Sequence, residues 1–240
     1  MDNALKSYDD SRDWIFERLV HGPRGFYNEL PESFSLEEYS SPTRHQGMRG
    51  TCGAFAAVKI EEIGAERKKI TGRKCKSWVY LSPEFIYFHR ANKPLSGMYG
   101  RDVFQVLRKY GTVTEDQYPY AQDDNETKPP AESLYKSAEE HKITGYARIK
   151  TIEGLKRAII EIGACYIGLP MYNRTDRFWD RSCGNELSMG HAVAAIGYTA
   201  DGFIIENSWG SNWGNTGRSL FPYSDFDIIW EIWVPVKQDS

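Results

Sequence analysis

The chain has 240 residues, of which 40% are hydrophobic, 14% aromatic and 26% charged, enough apolar material for one large core or two modest ones. A formal net charge of −3 argues against a nucleic-acid partner, and the four cysteines, at 52, 75, 165 and 183, form no CxxC pair of the kind that holds zinc, so neither a metal nor any other cofactor is expected. Asp2 and Lys6 interrupt the N-terminal stretch where a signal peptide needs an apolar centre, and no run approaches the roughly 18 apolar residues of a membrane span, so the expected place is the cytoplasm, without a membrane partner.

Residues 1–30 read as a polar extension dotted with aromatics, expected to lie as an arm on the surface of a domain that spans 31–240. A Gly-rich turn then leads to Cys52, and Phe55, Val58 and the run from Ile60 to Ala65 predict a buried helix with Thr51 as its cap. Leu81 to His89 predicts a second helix, capped by Ser82 with Pro83 at its first position, in which His89 is a packing or surface residue. A third helix is expected over Arg101 to Tyr110. The charged, Pro-containing stretch from Ala121 to Pro130 is the expected crossing into the second half. There the pattern gives a helix over Ile152 to Ile162, a loop over Asn173 to Asn185, and strands over Cys165 to Leu169, His191 to Tyr198, Phe203 to Glu206 and Ile228 to Val234. Helices followed by strands imply an α+β fold with a mainly helical part, 31–130, and a mainly β part, 131–240.

A lone cysteine among small residues is usually a packing residue. Cys52 differs because it heads a helix, whose macrodipole favours the thiolate, and because partners for a thiolate stand downstream. His191 leads into an apolar, strand-like run, and Asn207 ends a second one where the chain breaks into a Trp/Gly-rich loop. Gln46, the block Gly50-Thr51-Cys52, the block Gly190-His191-Ala192 and the block Asn207-Ser208-Trp209-Gly210 with Trp213-Gly214 together resemble the papain-like (C1) cysteine peptidases. Order and spacing match that pattern, in which His and Asn follow the cysteine by roughly 130–150 residues.

The resemblance implies a two-lobed fold, a helical left subdomain and a β-barrel-like right subdomain with the active-site cleft between them, and peptide-bond hydrolysis through an acyl-enzyme. In that scheme Cys52 is the nucleophile, His191 the acid and base, Asn207 the residue that orients the imidazole, and Gln46 an oxyanion-hole donor. Trp209 would shield the His–Asn hydrogen bond. Gly97 and Met98 stand where relatives carry a Gly-Gly pair whose main chain pairs with an extended polypeptide substrate, with Tyr99 and Gly190 beside the same cleft. Alignment of the terminal Val234-Pro235-Val236 puts Glu231 near the base of the S2 pocket, where it would favour Arg or Lys at P2; the alternative is a carboxylate on the outer face of an edge strand.

Departures from the pattern concern shape. Gly53 replaces an aromatic residue, Gly190 replaces Asp or Asn, and the tail after Asn207 is short; separately, Arg49 stands where secreted relatives have a second cysteine, which fits a reducing compartment. A Cys75–Cys183 or Cys75–Cys165 bridge stays open as an alternative. Leu30 to Leu36 resembles the family's lead-in to the domain, and the Asp10-Ser11-Arg12-Asp13 stretch resembles an element that precedes it in prokaryotic-type and viral members. Such an extension lies along the cleft in some relatives, which makes autoinhibition a second reading of residues 1–30. Endopeptidase action leads over exopeptidase, deubiquitinase-like or transpeptidase use of the same groups, and over a non-catalytic binding scaffold.

Overall fold

The computed structural model describes residues 4–20, 29–69, 78–182, 186–187 and 189–236. The chain runs through β1 (Ala4–Leu5), α1 (Phe16–Val20), β2 (Phe34–Ser35), α2 (Cys52–Lys68), α3 (Pro83–Phe88), β3 (Met98–Tyr99), α4 (Gly100–Lys109) and α5 (Glu132–Ala138). There follow β4 (Gly145–Arg148), α6 (Ile152–Glu161), β5 (Cys165–Met171), β6 (Met189–Tyr198), β7 (Gly202–Glu206), β8 (Arg218–Pro222) and β9 (Glu231–Val236). The β elements of the second half form one antiparallel sheet in the order β4-β9-β5-β6-β7-β8, with β2 added beside β6. Helices α2 and α4 pack on this sheet, and α6 packs on β5 and β6.

Helix α2 is buried from Cys52 to Ile63 without interruption, so it has protein on all sides rather than a wet face. Thr51 occupies its N-cap position but does not cap it. With φ −103° and ψ 7°, its backbone lacks the extended conformation that aims a side-chain oxygen at the first-turn N–H groups, and its Oγ1 bonds the Tyr120 hydroxyl at 2.8 Å instead. Ser82 does cap α3, its Oγ accepting from the Phe85 N–H at 3.1 Å with Pro83 in the first turn. His89 follows that helix. Its Nδ1 bonds the Phe85 carbonyl at 2.7 Å and its Nε2 the Tyr135 hydroxyl at 3.0 Å, and burial lowers its pKa, all of which fits a packing role.

The last strand begins later than the apolar pattern suggests. Tyr223 to Ile228 forms a 3₁₀ turn closed by the Ile229 N–H on the Phe226 carbonyl, and Ile228 and Ile229 pack on the core from that turn. Pairing with β5 starts at Glu231 opposite Gly168. Strand β9 lies between β4 and β5, so Glu231 is on an inner strand and buried, not on an outer face.

Residues 4–20 are not a surface arm either. Ala4–Leu5 pairs in parallel with Met98–Tyr99, Ile15 bridges to Arg148, and Phe16, 2% exposed, is part of the main core. Cys165 carries a thiol in no disulfide, while Cys75 and Cys183 lie outside the described residues.

The two halves are joined behind the sheet's inner strands by a desolvated charge cluster. Lys59, two turns after Cys52 on α2, reaches Glu206 Oε1 at 3.0 Å and the Ser41 carbonyl and hydroxyl at 2.8 and 2.7 Å. Glu206, whose side chain is 0% exposed, also accepts from Ser40 Oγ, Thr43 Oγ1 and Arg218 Nε. Removing one partner of such a pair strands the other charge in a medium that solvates it poorly. Lys59→Met is expected to lower unfolding stability by about 3 kcal/mol in urea titration, and Lys59→Met with Glu206→Gln by less than Lys59→Met alone.

Candidate active site

Two backbone placements bring the predicted groups to one seam. Cys52 is the first residue of α2, the helix that packs on β6, and His191 is the third residue of β6. Asn207 follows directly on β7, which is hydrogen-bonded to β6. His191 Nε2 lies 2.7 Å from Asn207 Oδ1. The Ser208 backbone N–H donates to the same Oδ1 at 2.7 Å, which fixes the amide with its oxygen toward the ring, since the flipped amide would set a donor against that N–H. The hydrogen on His191 therefore sits on Nε2. Nδ1 is left as the nitrogen that can exchange a proton with a thiol.

Trp209 stacks on the imidazole with ring centroids 4.7 Å apart and planes at 29°, and Phe178 meets the ring edge-on at 5.0 Å. Both are buried, so the His–Asn bond is walled by aromatic faces.

Gln46 is fully buried, and its amide is tied at both ends: Oε1 accepts from the Ser208 hydroxyl at 2.6 Å and Nε2 donates to the Arg49 carbonyl at 2.9 Å. Its own backbone N–H donates to the Ser208 carbonyl at 2.8 Å. The second Nε2 hydrogen is the one such an amide can turn toward a developing oxyanion next to the Cys52 N–H.

Four contributors went unseen in the sequence. Ser208 serves both Gln46, through its hydroxyl, and Asn207, through its N–H. Tyr120 donates to the Gln46 carbonyl at 2.7 Å and bonds Thr51 Oγ1, and burial pushes its phenol up to about 12, so it stays neutral. Arg49 lies between the rings of Tyr87 and Tyr120 and spends its guanidinium on Glu84 and Asp124 at 2.5–3.0 Å and on the Ala121 carbonyl, which bolts the turn before Cys52 to α3. Only its position, in place of a cysteine, was a signal. The fourth is β1, since a two-residue strand has no readable period.

The expected substrate groove holds β1. Met98 has no left-handed backbone, which among the described non-glycine residues occurs only at Thr216, and it pairs with Ala4 as Tyr99 does with Leu5; Gly97 turns the chain into this strand at φ 84°. A Cβ on Gly190 would stand 2.0 Å from the Ala4 carbonyl oxygen, so only glycine admits this segment. Cys52 and His191 have no exposed surface beneath it. Glu231 lies across from Gly168, accepting from the Gly100 N–H at 3.1 Å and the Trp233 indole at 2.9 Å. No cluster of His, Cys, Asp and Glu able to hold a metal occurs among the described residues.

This arrangement sets an imidazole, oriented by an amide and covered by an indole, on the strand against which the helix headed by Cys52 packs, within a two-part α+β scaffold. The model of the papain family of cysteine proteases matches residues 30–221, and the chain belongs to that family. It is 34% identical to cathepsin K of Gallus gallus over 197 residues, covering 76% of this chain and 55% of that protein, so the chain spans little more than half the length of this relative. The fold matches xylellain, a cysteine protease from Xylella fastidiosa, with a TM-score of 0.84 over 99% of this chain and 96% of that one, at 24% identity. It also matches digestive procathepsin L 3 of Tenebrio molitor, with a TM-score of 0.68 over 88% of this chain and 71% of that one, at 21% identity.

Cys165, the other described cysteine, is fully buried on β5, and burial pushes its thiol far above the ordinary range. In native protein at pH 8, iodoacetamide is expected to leave Cys165 unmodified and to reach it only in denaturant, as peptide mass spectrometry would read.

Proposed function

We propose that this chain is a thiol-dependent endopeptidase that cleaves extended polypeptides through an acyl-enzyme. The observation that carries the reading is the His191–Asn207 bond, with its proton fixed on Nε2 under Trp209, on the strand against which the Cys52 helix packs. In the resting enzyme the thiol proton resides on Nδ1, giving a thiolate and an imidazolium. The thiolate adds to the scissile carbonyl, forming a C–S bond and an oxyanion held by the Cys52 N–H and Gln46 Nε2. Nδ1 then protonates the amine as the C–N bond breaks. Water, losing a proton to Nδ1, attacks the thioester and releases the acid with the thiol. Asn207 keeps the ring in this orientation without adding negative charge.

Cys52→Ala is expected to abolish both peptide hydrolysis and labelling by a thiolate-directed epoxide. Gln46→Ala should keep labelling but lower kcat by ~10²–10³ with a smaller change in KM. A Cys52→Ala chain that still turned over peptides would sink the assignment.

Met98, Tyr99 and Gly190 form the groove that pairs with substrate main chain, and the N-terminal segment in that groove holds the enzyme inactive until it moves. The similarity to a procathepsin, a proform, supports this regulation. A reducing, cytoplasmic setting is the reading taken from Arg49, which stands where secreted relatives carry a second cysteine. Among the described residues no helix is long and apolar enough to cross a membrane.

For specificity, Glu231 at the base of S2 selects Arg or Lys at P2. Because the carboxylate already accepts two hydrogen bonds, the selection is modest. Glu231→Gln is expected to lower the ratio of P2-Arg to P2-Leu turnover roughly fivefold in matched peptides, and an unchanged ratio would remove Glu231 from the pocket.

A further inference from the structure

Residues 4–17 divide into two parts that are held in different ways. The upstream part, Ala4 to Tyr8, is attached mainly through main chain and small groups: two paired residues on β3, the Ser7 hydroxyl accepting from the Arg101 N–H at 3.1 Å, and the Tyr8 carbonyl accepting from Arg101 Nη2 at 2.6 Å, with the exposed Tyr8 ring 6.3 Å from that of Tyr99. Apart from Ala4 it gives no side chain to the core, and Tyr8 is 80% exposed.

The downstream part is built in. Asp13, its side chain 7% exposed, takes Arg101 Nε and Nη2 at 3.1 and 2.7 Å and stands 3.6 Å from Arg148, whose side chain is 4% exposed and also pairs with Asp9 at 2.6 Å. Both arginines lie over the ring of Trp233, whose indole N–H holds Glu231. The Arg148 backbone N–H donates to the Trp14 carbonyl at 2.7 Å. Phe16 is in the main core. Glu17 Oε1 accepts from the Lys150 and Thr151 N–H groups and the Thr151 hydroxyl at 2.8, 2.9 and 3.0 Å, at the start of α6. Losing this part would leave Arg148 desolvated and short of carboxylates, open the core at Phe16, and remove an anion from a helix N-terminus.

We infer that the segment is a displaceable plug, residues 4–8, joined through the exposed Asp9 and through Asp10 to a permanent wall, residues 11–17, so that any processing which opens the cleft falls at or before Asp10 and leaves Asp13 and Phe16 in the working enzyme. The inference rests on the proposed autoinhibition for the plug. The wall stands on packing alone and does not need it.

Full-length variants separate the two parts. Ala4→Trp does not fit the buried seat beside Gly190, and is expected to raise the rate of Cys52 labelling by the epoxide at least tenfold while the melting temperature stays within about 2 °C. Phe16→Ala is expected to lower the melting temperature by roughly 6–15 °C. The N-terminus of the fully reactive protein, mapped by mass spectrometry, is expected at or before Asp10. An Ala4→Trp chain that labels at the parent rate overturns the plug. Phe16→Ala that melts with the parent, or a reactive protein whose N-terminus lies beyond Asp10, overturns the wall. Failure of every variant, the parent included, to label would instead refute the peptidase reading, and the Phe16→Ala melting curve would still decide the wall.

Discussion

Everything in the site depends on where one helix sits against one sheet, and a single desolvated carboxylate does much to decide that. Glu206 is the last residue of β7, next in sequence to Asn207, and it receives Lys59 from the helix that Cys52 begins. Apolar packing of α2 on β6 supplies the larger part of the stabilisation, but such packing is non-directional and tolerates small slides. A charge pair with several defined hydrogen bonds on each side does not. Lys59 has Ser41, and Glu206 has Ser40, Thr43 and Arg218, so a slide of the helix breaks charge-assisted bonds at positions water cannot reach.

The next level of order is set by Ser208. Its N–H determines which end of the Asn207 amide faces His191, and so which imidazole nitrogen carries the hydrogen. Its hydroxyl holds the Oε1 end of the Gln46 amide, whose orientation is set by the Arg49 carbonyl, an acceptor that takes only the Nε2 end. One residue thus touches both amides, and neither can flip without setting donor against donor at the Ser208 N–H or acceptor against acceptor at the Arg49 carbonyl. The groups proposed to react come from three distant stretches of chain. The groups that aim two of them are adjacent, which keeps their relative error small.

The sequence was legible wherever chemistry or period is written in side chains. The buried run after Cys52, the Ser82-Pro83 helix start and the inner strands all emerged near the predicted positions, because each has a repeating or capping signal. Errors fell where a local signal met a tertiary competitor. Thr51 reads as a cap, but Tyr120, whose distance in sequence hides it, claims the hydroxyl. Ile228 and Ile229 read as strand because they are apolar and β-branched, yet a turn buries them equally well. The extension read as a surface arm because its short elements carry no period and its anchors, Arg101 and Arg148, are charged residues that look like solvated ones until Asp9 and Asp13 are placed beside them.

The groove follows a different logic, in which missing atoms matter more than those present. A Cβ on Gly190 would displace the Ala4 carbonyl, one on Gly100 would meet the Glu231 carboxylate at 2.6 Å, and one on Gly168 would crowd the same side chain at 3.2 Å. Bare backbone at Gly190 lets a main chain lie close in the groove, and at Gly100 and Gly168 it makes room for the buried carboxylate. Main-chain pairing is indifferent to sequence, so a segment of the protein itself and a foreign peptide are held by similar forces. What separates them is connection: the protein's own strand is tethered through Asp13 and Phe16 and is present at a high effective concentration, whereas a substrate must be recruited from solution. In the proposed scheme, shortening the strand without cutting that tether would tip the balance toward substrate, because it would remove the competitor and leave the wall in place.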